Sequence, residues 1–390
     1  MRYFGSVVRG VRMPIIHSGD NLAEVVSETI FRAVDNGALE VKDHDVIALT
    51  ESIVARAEGN YASTEAIKID VRNKFPSGPV GFVFPILSRN RMLGVLSAIA
   101  EGVDELIVQL SYPRDEVGNS FVDDLALRHQ EINISTDEFS EEEFRALFGE
   151  KLLHPITKMD YPQMYRKAAR NIKVIFSNNP LTILKYTNQV IVADIHTRFQ
   201  TKEVLRSNGG EIILGLDDLL TSSINGSGYH PTYGLLGSNF ASEGLLKLFP
   251  RDGQKVVEDI QQRFYKKYGK IVEVLVFGDG AFKDPVSKIW ELADPVVAPF
   301  YTPGLEGSPH ESKFKLIADT TLKDKRGVEA EEKMKQYIKK HQQKPASDLG
   351  TTPRHLTDLL GSLADLTSGS GDKGTPVVYI QGYFDSYADE

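Results

Sequence analysis

Residues 272–284 read Val-Glu-Val-Leu-Val-Phe-Gly-Asp-Gly-Ala-Phe-Lys-Asp. The apolar, β-branched first half predicts a buried strand that runs straight into a Gly-Asp-Gly turn. Glycines on both sides of Asp279 allow a sharp bend and a close approach of a ligand. A carboxylate at a strand end suits a hard cation such as Mg²⁺, and Lys283 suits a phosphate. The alternative is an ordinary tight turn, because turns favour Asp and Gly.

A second acidic strand end lies at residues 106–119, which read Leu-Ile-Val-Gln-Leu-Ser-Tyr-Pro-Arg-Asp-Glu-Val-Gly-Asn. The apolar start predicts another buried strand, and the loop beyond it holds Arg114, Asp115, Glu116 and Asn119. These side chains could hold a metal and a phosphate together. The alternative is a solvated loop with a surface Arg–Asp pair, which contributes little to stability. Because open α/β sheets bind ligands at strand ends, the two loops predict one polar site above one sheet.

Length and composition limit the classes of protein to which this chain can belong. The chain has 390 residues, enough for one large domain or two ordinary ones, with 41% hydrophobic and 25% charged residues, as in soluble globular proteins. The net charge of −9 argues against nucleic acid as a partner. Without cysteine, any metal must be held by oxygen or nitrogen ligands. The sequence shows neither an apolar run long enough for a bilayer nor a signal peptide, so no membrane association and a cytoplasmic location are expected.

Predicted strands and helices alternate, which indicates an α/β fold with mixed sheets and flanking helices. A helix is expected over residues 21–36, capped by Asn21 with Glu24 three residues on. A second helix over residues 253–268 is expected to be capped by Asp252. The other predicted helices cover residues 91–100 and 329–344. The remaining predicted strands cover residues 46–49, 173–176, 190–193 and 376–381.

Three regions are expected along the chain. Residues 1–130 form the first part of a core, 131–268 an insertion or second lobe, and 269–390 the continuation of the core. Residues 222–239 are rich in Gly and Ser and could form either a lid over a polar ligand or a plain surface loop. Residues 367–374 form a second such loop, whose glycine amides, including that of Gly371, and Lys373 could cradle a phosphate.

Other candidate chemistry is weaker. Asp194 and His196 follow a predicted strand and could bind metal, although a lone pair of this kind is more often structural. The sequence contains no HExxH, GxGxxG, Walker A or G-x-S-x-G motif. The sequence therefore gives little support to a zincin, a Rossmann dehydrogenase, a P-loop enzyme or an α/β-hydrolase.

Three stretches together resemble the coenzyme F420-0:L-glutamate ligase (gamma-glutamyl ligase) family. Residues 14–20, Pro-Ile-Ile-His-Ser-Gly-Asp, look like the family's N-terminal Pro–hydrophobic–Gly-Asp segment. Residues 51–59, Glu-Ser-Ile-Val-Ala-Arg-Ala-Glu-Gly, are similar to its K-[IV]-V-S-K-A-E-G segment. Residues 363–382 look like its G-x-G-D-x-G ending followed by a strand. The matches bracket the chain, and the middle is longer than in typical members, as expected for a large central insertion.

The resemblance implies a GTP-dependent, divalent-metal-dependent ligase that joins L-glutamate through its amine to a phosphorylated or carboxylated acceptor. It implies Mg²⁺ or Mn²⁺, and an intertwined homodimer. The implied site residues are Arg114 and Lys283 for catalysis, Pro14, Ile15, Arg56, Gly371 and Lys373 for the nucleotide, and Asp115, Glu116, Asp279 and Asp194 for metal.

The chain departs from the family pattern near Asp279. Gly280 stands where the family has threonine, the arginine beyond it is replaced by a region holding Lys283, and Arg56 stands where lysine is common. We expect these changes to affect the identity of the acceptor substrate more than that of the nucleotide. Two alternatives stay open: a metal-dependent phosphohydrolase using the same carboxylates, and a nucleotide-binding protein without catalysis.

Overall fold

The computed structural model describes residues 5–278, 281–283, 290–292, 297–309, 314–340, 355–368 and 373–389. The strands in this part of the chain are β1 Val7–Val11, β2 Val46–Thr50, β3 Tyr61–Ser63, β4 Pro79–Val83, β5 Glu105–Leu110, β6 Phe139–Ser140, β7 Ile172–Phe176, β8 Gln189–Val192, β9 Ile212–Gly215, β10 Asn239–Ser242, β11 Leu245–Lys247, β12 Glu273–Gly278, β13 Ala281–Lys283, β14 Trp290–Leu292, β15 Val297–Tyr301 and β16 Val377–Gln381.

The helices confirm most of the predicted positions. They are α1 Leu22–Asp35, α2 Glu51–Glu58, α3 Thr64–Lys74, α4 Leu93–Gly102, α5 Asp124–His129, α6 Glu141–Phe148, α7 Tyr161–Arg166, α8 Arg198–Ser207, α9 Gly253–Tyr268, α10 Phe314–Asp319, α11 Gly327–Lys340 and α12 Leu356–Ser368. Short 3₁₀ helices cover Pro180–Lys185, Leu216–Asp218, Pro303–Leu305 and Tyr387–Asp389. In the described part of the chain, no helix is both long and apolar enough to cross a membrane.

Helix ends test the capping predictions. The Asn21 side chain accepts a hydrogen bond from the Glu24 amide, as expected for the cap of α1. Asp252 precedes α9 but makes no side-chain cap bond, so that part of the prediction is wrong. Its backbone amide instead donates to Glu58 Oε1 at 2.8 Å, which holds the start of α9 against the end of α2.

The first large sheet has five strands in the order β1-β16-β2-β12-β15. β12 runs parallel to β2, and the other pairs are antiparallel. Alternate residues along β2 enter different cores: Ile47 and Leu49 pack on the side that holds α1 and α9, and Val46 and Ala48 on the side that holds α12. Both faces of this sheet are therefore covered, which explains the nearly continuous apolar sequence of its central strands.

The second large sheet has six strands in the order β6-β7-β5-β4-β8-β9. β6 is antiparallel, and the other five strands are parallel. The chain moves outward from β4 through β5 to β7, and then returns to the other side of β4 for β8 and β9. Strand order thus reverses between β4 and β8, and doubly wound sheets bind ligands at the carboxyl edge beside such a reversal. A mixed α/β fold with flanking helices is confirmed.

The chain passes from the five-stranded sheet to the six-stranded sheet near residue 60 and returns near residue 249. Between these points lie all six strands of the second sheet and the small sheet β10-β11-β3. The two connecting segments, near residues 60 and 249, lie side by side. Leu248 N–H donates to the Asn60 carbonyl at 2.9 Å, and the buried Asn60 side chain donates to the Phe249 carbonyl at 2.6 Å. The boundaries expected at residues 130 and 268 do not coincide with this division of strands.

One further expectation needs correction. β5 and β12, the strands before Asp115 and Asp279, were expected to share one sheet, but they belong to different sheets. The C-terminal strand β16 is paired on both edges within the chain, by β1 and β2.

Candidate functional site

Three distant segments meet at the carboxyl end of β2. Met13 N–H donates to the Gly374 carbonyl at 3.0 Å, and Gly19 N–H donates to the Ala57 carbonyl at 2.8 Å. Thr50 N–H donates to the Pro376 carbonyl at 3.0 Å. The segment after β1 is therefore tied at one end to the residues before β16 and at the other to α2. The three stretches that carry the family resemblance form one surface.

Predicted nucleotide-binding residues occupy this surface. Pro14, Arg56 and Lys373 are exposed, and the Ile15 side chain is 73% exposed. Gly371 lies outside the described residues. An exposed apolar side chain and two cations in hydrogen-bonded segments provide the chemistry that a nucleotide needs, since cations suit its phosphates and an apolar surface suits its base.

Gly59 explains how the segments approach so closely. It ends α2 with a φ of +68°, a conformation that favours glycine. A Cβ at this position would lie 2.4 Å from Ser18 Oγ, in the segment that follows β1. A larger residue would strain the backbone and displace the Ser18 side chain.

Asp115 lies in the loop after β5, where four donors surround its carboxylate. Oδ1 accepts from the amides of Val117 at 3.1 Å and Asn119 at 2.6 Å. Oδ2 accepts from Asn119 Nδ2 at 2.8 Å and contacts His154 Nε2 at 2.9 Å. Burial alone would raise the pKa of Asp115, but the hydrogen bonds from His154 and Asn119 outweigh burial and lower it. The carboxylate anchors the loop.

His154 is a partner that the sequence did not indicate. Its Nδ1 accepts from the amide of Thr157 at 3.1 Å, so its Nε2–H donates to Asp115 and the ring is neutral. Both side chains are almost fully buried. His154 follows the carboxylate by 39 residues and matches no motif, so only the fold reveals the pair.

Glu116 is the most unusual acid at this edge of the six-stranded sheet. Its Oε2 accepts from Leu87 N–H at 3.3 Å, in the loop after β4. Burial, assisted by the charge of Asp115, raises the pKa of Glu116 to about 7. Its carbonyl oxygen also accepts from His196 Nε2 at 3.1 Å, which joins the loops after β5 and β8. A carboxyl with this pKa can exchange a proton near neutral pH.

Asp194 organises the start of α8. Its Oδ1 accepts from the Thr197 amide at 2.8 Å, and its Oδ2 accepts from Thr201 Oγ1 at 2.7 Å. It lies at the same sheet edge as Asp115 but in a different loop, since β4 separates β5 from β8. These contacts give Asp194 a structural role, in which it holds the turn that leads into α8.

The described residues do not by themselves fit a metal ion. Among them, no three His, Asp or Glu side chains are grouped to hold one. The oxygens of Asp115 and Asp194 already accept protein hydrogen bonds, as described above. Asp279 lies outside the described residues, and so does the side chain of Lys283, which ends β13. Arg114 is exposed beside Asp115.

Sequence reasoning also missed a buried ion pair beside the surface formed by residues 12–20, α2 and residues 373–376. Lys247 Nζ, at the end of β11, lies 2.8 Å from both carboxylate oxygens of Glu51, the first residue of α2. Acidic residues favour a helix start, but nothing in the sequence indicates a cation 196 residues away.

Comparisons with known proteins agree with the resemblance. A family model described as F420-0:Gamma-glutamyl ligase matches residues 10–382. The coenzyme F420:L-glutamate ligase of Methanothermobacter thermautotrophicus is 39% identical over 56 residues, which cover 14% of this chain and 21% of that relative. Because the family model extends over nearly the whole chain, the chain belongs to the F420-0:gamma-glutamyl ligase family.

Proposed function

We propose that this protein is a GTP-dependent, divalent-metal-dependent gamma-glutamyl ligase that joins L-glutamate to a phosphorylated or carboxylated acceptor. Family membership over residues 10–382 supports the reaction class. The observation that carries the nucleotide assignment is the hydrogen-bonded surface made by residues 12–20, α2 and residues 373–376. It joins three segments that are far apart in sequence and presents Ile15, Arg56 and Lys373 to solvent.

The proposed chemistry on a carboxylated acceptor has two steps. The acceptor carboxylate attacks the γ-phosphorus of GTP, which gives an acyl phosphate and GDP. The amine of glutamate then attacks the acyl carbon, an amide bond forms, phosphate leaves, and the amine loses a proton. Phosphoryl transfer depends mainly on positioning and charge neutralisation. In this proposal Arg56 and Lys373 bind the phosphates, and Arg114 and Lys283 stabilise the charge on the transferring group.

Mg²⁺ or Mn²⁺ is the proposed metal. Magnesium in nucleotide enzymes is commonly held by one or two carboxylates together with phosphate oxygens, so a preassembled cluster of protein ligands is not required. Asp279 is the protein ligand we propose, because it directly follows β12, the parallel neighbour of β2 in the five-stranded sheet, whereas the oxygens of Asp115 and Asp194 already have structural partners. When bound, the metal would neutralise phosphate charge.

The test is GTP consumption with and without L-glutamate, in Mg²⁺ or Mn²⁺, over a panel of phosphorylated and carboxylated acceptors. A ligase should consume GTP faster with both substrates present and yield a product with the mass of the acceptor plus one glutamyl group. Phosphate release from nucleotides or phosphate esters without glutamate would identify a phosphohydrolase, and GTP binding without turnover a nucleotide-binding protein. Arg56→Ala should weaken GTP binding, whereas Arg32→Ala, on the exposed face of α1, should not.

A further inference from the structure

Arg251 lies where the chain returns from the six-stranded sheet to the five-stranded sheet, just before α9, and it is half-buried. Its backbone amide donates to Glu58 Oε2 at 2.9 Å, near the end of α2. Glu58 is followed by Gly59, which packs closely against Ser18. Arg251 therefore adjoins the surface that we assign to the nucleotide, although the proposed function does not yet use it.

The guanidinium of Arg251 is held in place by neutral groups. Its Nη1 donates to Asn60 Oδ1 at 3.1 Å and to the Tyr229 carbonyl at 3.5 Å. The guanidinium also lies over the Tyr229 ring, with its central carbon 4.5 Å from the ring centroid. A cation–π contact and hydrogen bonds to neutral oxygens orient the positive charge without cancelling it.

The loop that carries Tyr229, within residues 222–239, is tied to the same place. Asn60 Oδ1 accepts from the Tyr229 amide at 3.0 Å, and Asn60 Nδ2 donates to the Tyr229 carbonyl at 3.1 Å. Gly228 allows this close approach, since a Cβ there would lie 2.4 Å from Asn60 Oδ1. This part of the loop is therefore a fixed support for the Arg251 side chain.

The other edge of the guanidinium, formed by Nε and Nη2, contacts no acceptor among the residues that the structure describes. Both nitrogens are accessible to solvent. Glu58 forms no ion pair with this guanidinium in the described part of the chain, because its oxygens accept from the amides of Arg251 and Asp252. Two parallel N–H groups on an arginine edge match the two oxygens of a carboxylate.

We propose that Arg251 binds a carboxylate of L-glutamate through its Nε–Nη2 edge, an inference that rests on the proposed ligase function. The carboxylates of glutamate are unchanged by the reaction, so they can stay bound while the amine attacks. The acceptor carboxylate, in contrast, must be free to attack phosphorus, which makes it a poorer match for a fixed guanidinium. Bound in this way, glutamate lies beside the surface assigned to GTP.

Steady-state kinetics of the full chain with GTP, Mg²⁺ and the acceptor identified in the panel above test the assignment. Arg251→Gln should raise KM for L-glutamate at least about tenfold, because a charge-assisted contact is lost, and change KM for GTP and for the acceptor less than about twofold. Arg251→Lys keeps the charge but not the parallel donors, so its KM for L-glutamate should rise less. Arg32→Gln, the same change in charge at an exposed position of α1, should leave all KM values unaltered.

Amides of glutamate separate binding of the substrate from a purely structural role. The wild type should prefer L-glutamate at least about tenfold, in kcat/KM, over the amide of the bound carboxylate, either L-glutamine or L-isoglutamine. Arg251→Gln should lose this preference, and the amide concerned identifies the carboxylate. A variant that is merely destabilised would lose activity equally with all three substrates, which would contradict the assignment.

The outcomes also separate this inference from the ligase proposal. A wild type without glutamate-dependent turnover of GTP would overturn the proposed function, and this inference with it. An active wild type together with wild-type KM for L-glutamate in Arg251→Gln and Arg251→Lys would overturn only the role of Arg251. An increase in KM for the acceptor instead of L-glutamate would do the same.

Discussion

Glu51 and Lys247 form a buried ion pair that joins the two halves of the molecule, with both carboxylate oxygens 2.8 Å from Lys247 Nζ. The Glu51 side chain is 3% exposed and that of Lys247 is 8% exposed. Glu51 begins α2 directly after β2 of the five-stranded sheet, and Lys247 ends β11 of the small sheet. The pair therefore lies at the point where the chain crosses between the sheets.

Removing one partner should strongly destabilise the fold. Lys247→Met leaves Glu51 buried without its counter-charge, so we expect a loss of about 3–5 kcal/mol in the free energy of unfolding, measured in urea. Lys185→Met breaks the exposed Lys185–Glu138 pair and should cost under about 1 kcal/mol. Adding Glu51→Leu to Lys247→Met should recover most of the loss. Equal effects of the two lysine variants would contradict a stabilising role at the crossing.

Asp115→Asn distinguishes a loop anchor from a metal ligand. Because hydrogen bonds lower the pKa of Asp115 in the folded state, its contribution to stability is present at neutral pH and is lost as pH falls through the acid range. We expect the variant to be about 1–3 kcal/mol less stable at neutral pH, with a smaller difference in acid. The effect should be the same with EDTA or Mg²⁺, and Glu101→Gln, at an exposed position, should show none. A difference that appears only with Mg²⁺ would favour a metal ligand.

His230 should make stability depend on pH. Its Nδ1 accepts from the amides of Thr232 and Tyr233, and its Nε2–H donates to the Pro250 carbonyl, so the folded state requires the neutral ring. Burial lowers the pKa of His230 to about 4. The unfolded state gains a proton near pH 6.5 that the folded state does not bind. Stability should therefore fall by about 3 kcal/mol between pH 6.5 and 4, relative to His230→Gln.

This dependence is measured by urea unfolding across that range. Because carboxylates also titrate there, the informative quantity is the difference between wild type and variant. His129→Gln, at an exposed position, should follow the wild-type curve. A constant difference between wild type and His230→Gln at all pH values would mean that the ring titrates alike in both states.

Replacing Gly371 and Lys373 with alanine should weaken GTP binding about tenfold while the fold stays intact, because the loop loses a charge-assisted contact with phosphate. Lys373 is exposed beside Gly374, whose carbonyl accepts from Met13 N–H, whereas Gly371 lies outside the described residues. Affinity is measured by calorimetry, with Lys255→Ala as the charge-matched control. Unchanged affinity in the folded double variant would remove this loop from the nucleotide site.

A homodimer remains our prediction for the assembly, on the basis of the family resemblance. Since β16 is paired on both edges within the chain, the edge strand β1 is the remaining candidate for contact at this end of the five-stranded sheet. Light scattering at micromolar concentration should give the mass of two chains. A mass of 43.4 kDa, that of one chain, would count against it.

Local patterns in the sequence determined the elements and the family. The Asn21 cap, the apolar face of α1 and the short apolar strands follow from spacing within about ten residues, and the three family stretches are themselves local. The resemblance implied that these three stretches come together in one surface. The structure shows the contacts, which are backbone hydrogen bonds among residues 12–20, α2 and residues 373–376.

Only the tertiary structure decided which strands share a sheet and which polar side chains become partners. β5 and β12 have the same strand-then-acid pattern, yet they lie in different sheets, because pairing depends on contacts made across the whole chain rather than on the strand's own residues. Asp115 contacts His154, which lies 39 residues away in the sequence, and Glu51 contacts Lys247, which lies 196 residues away. A sequence records where a carboxylate lies along the chain, but its donors, its burial and hence its pKa are set by the packing of distant segments.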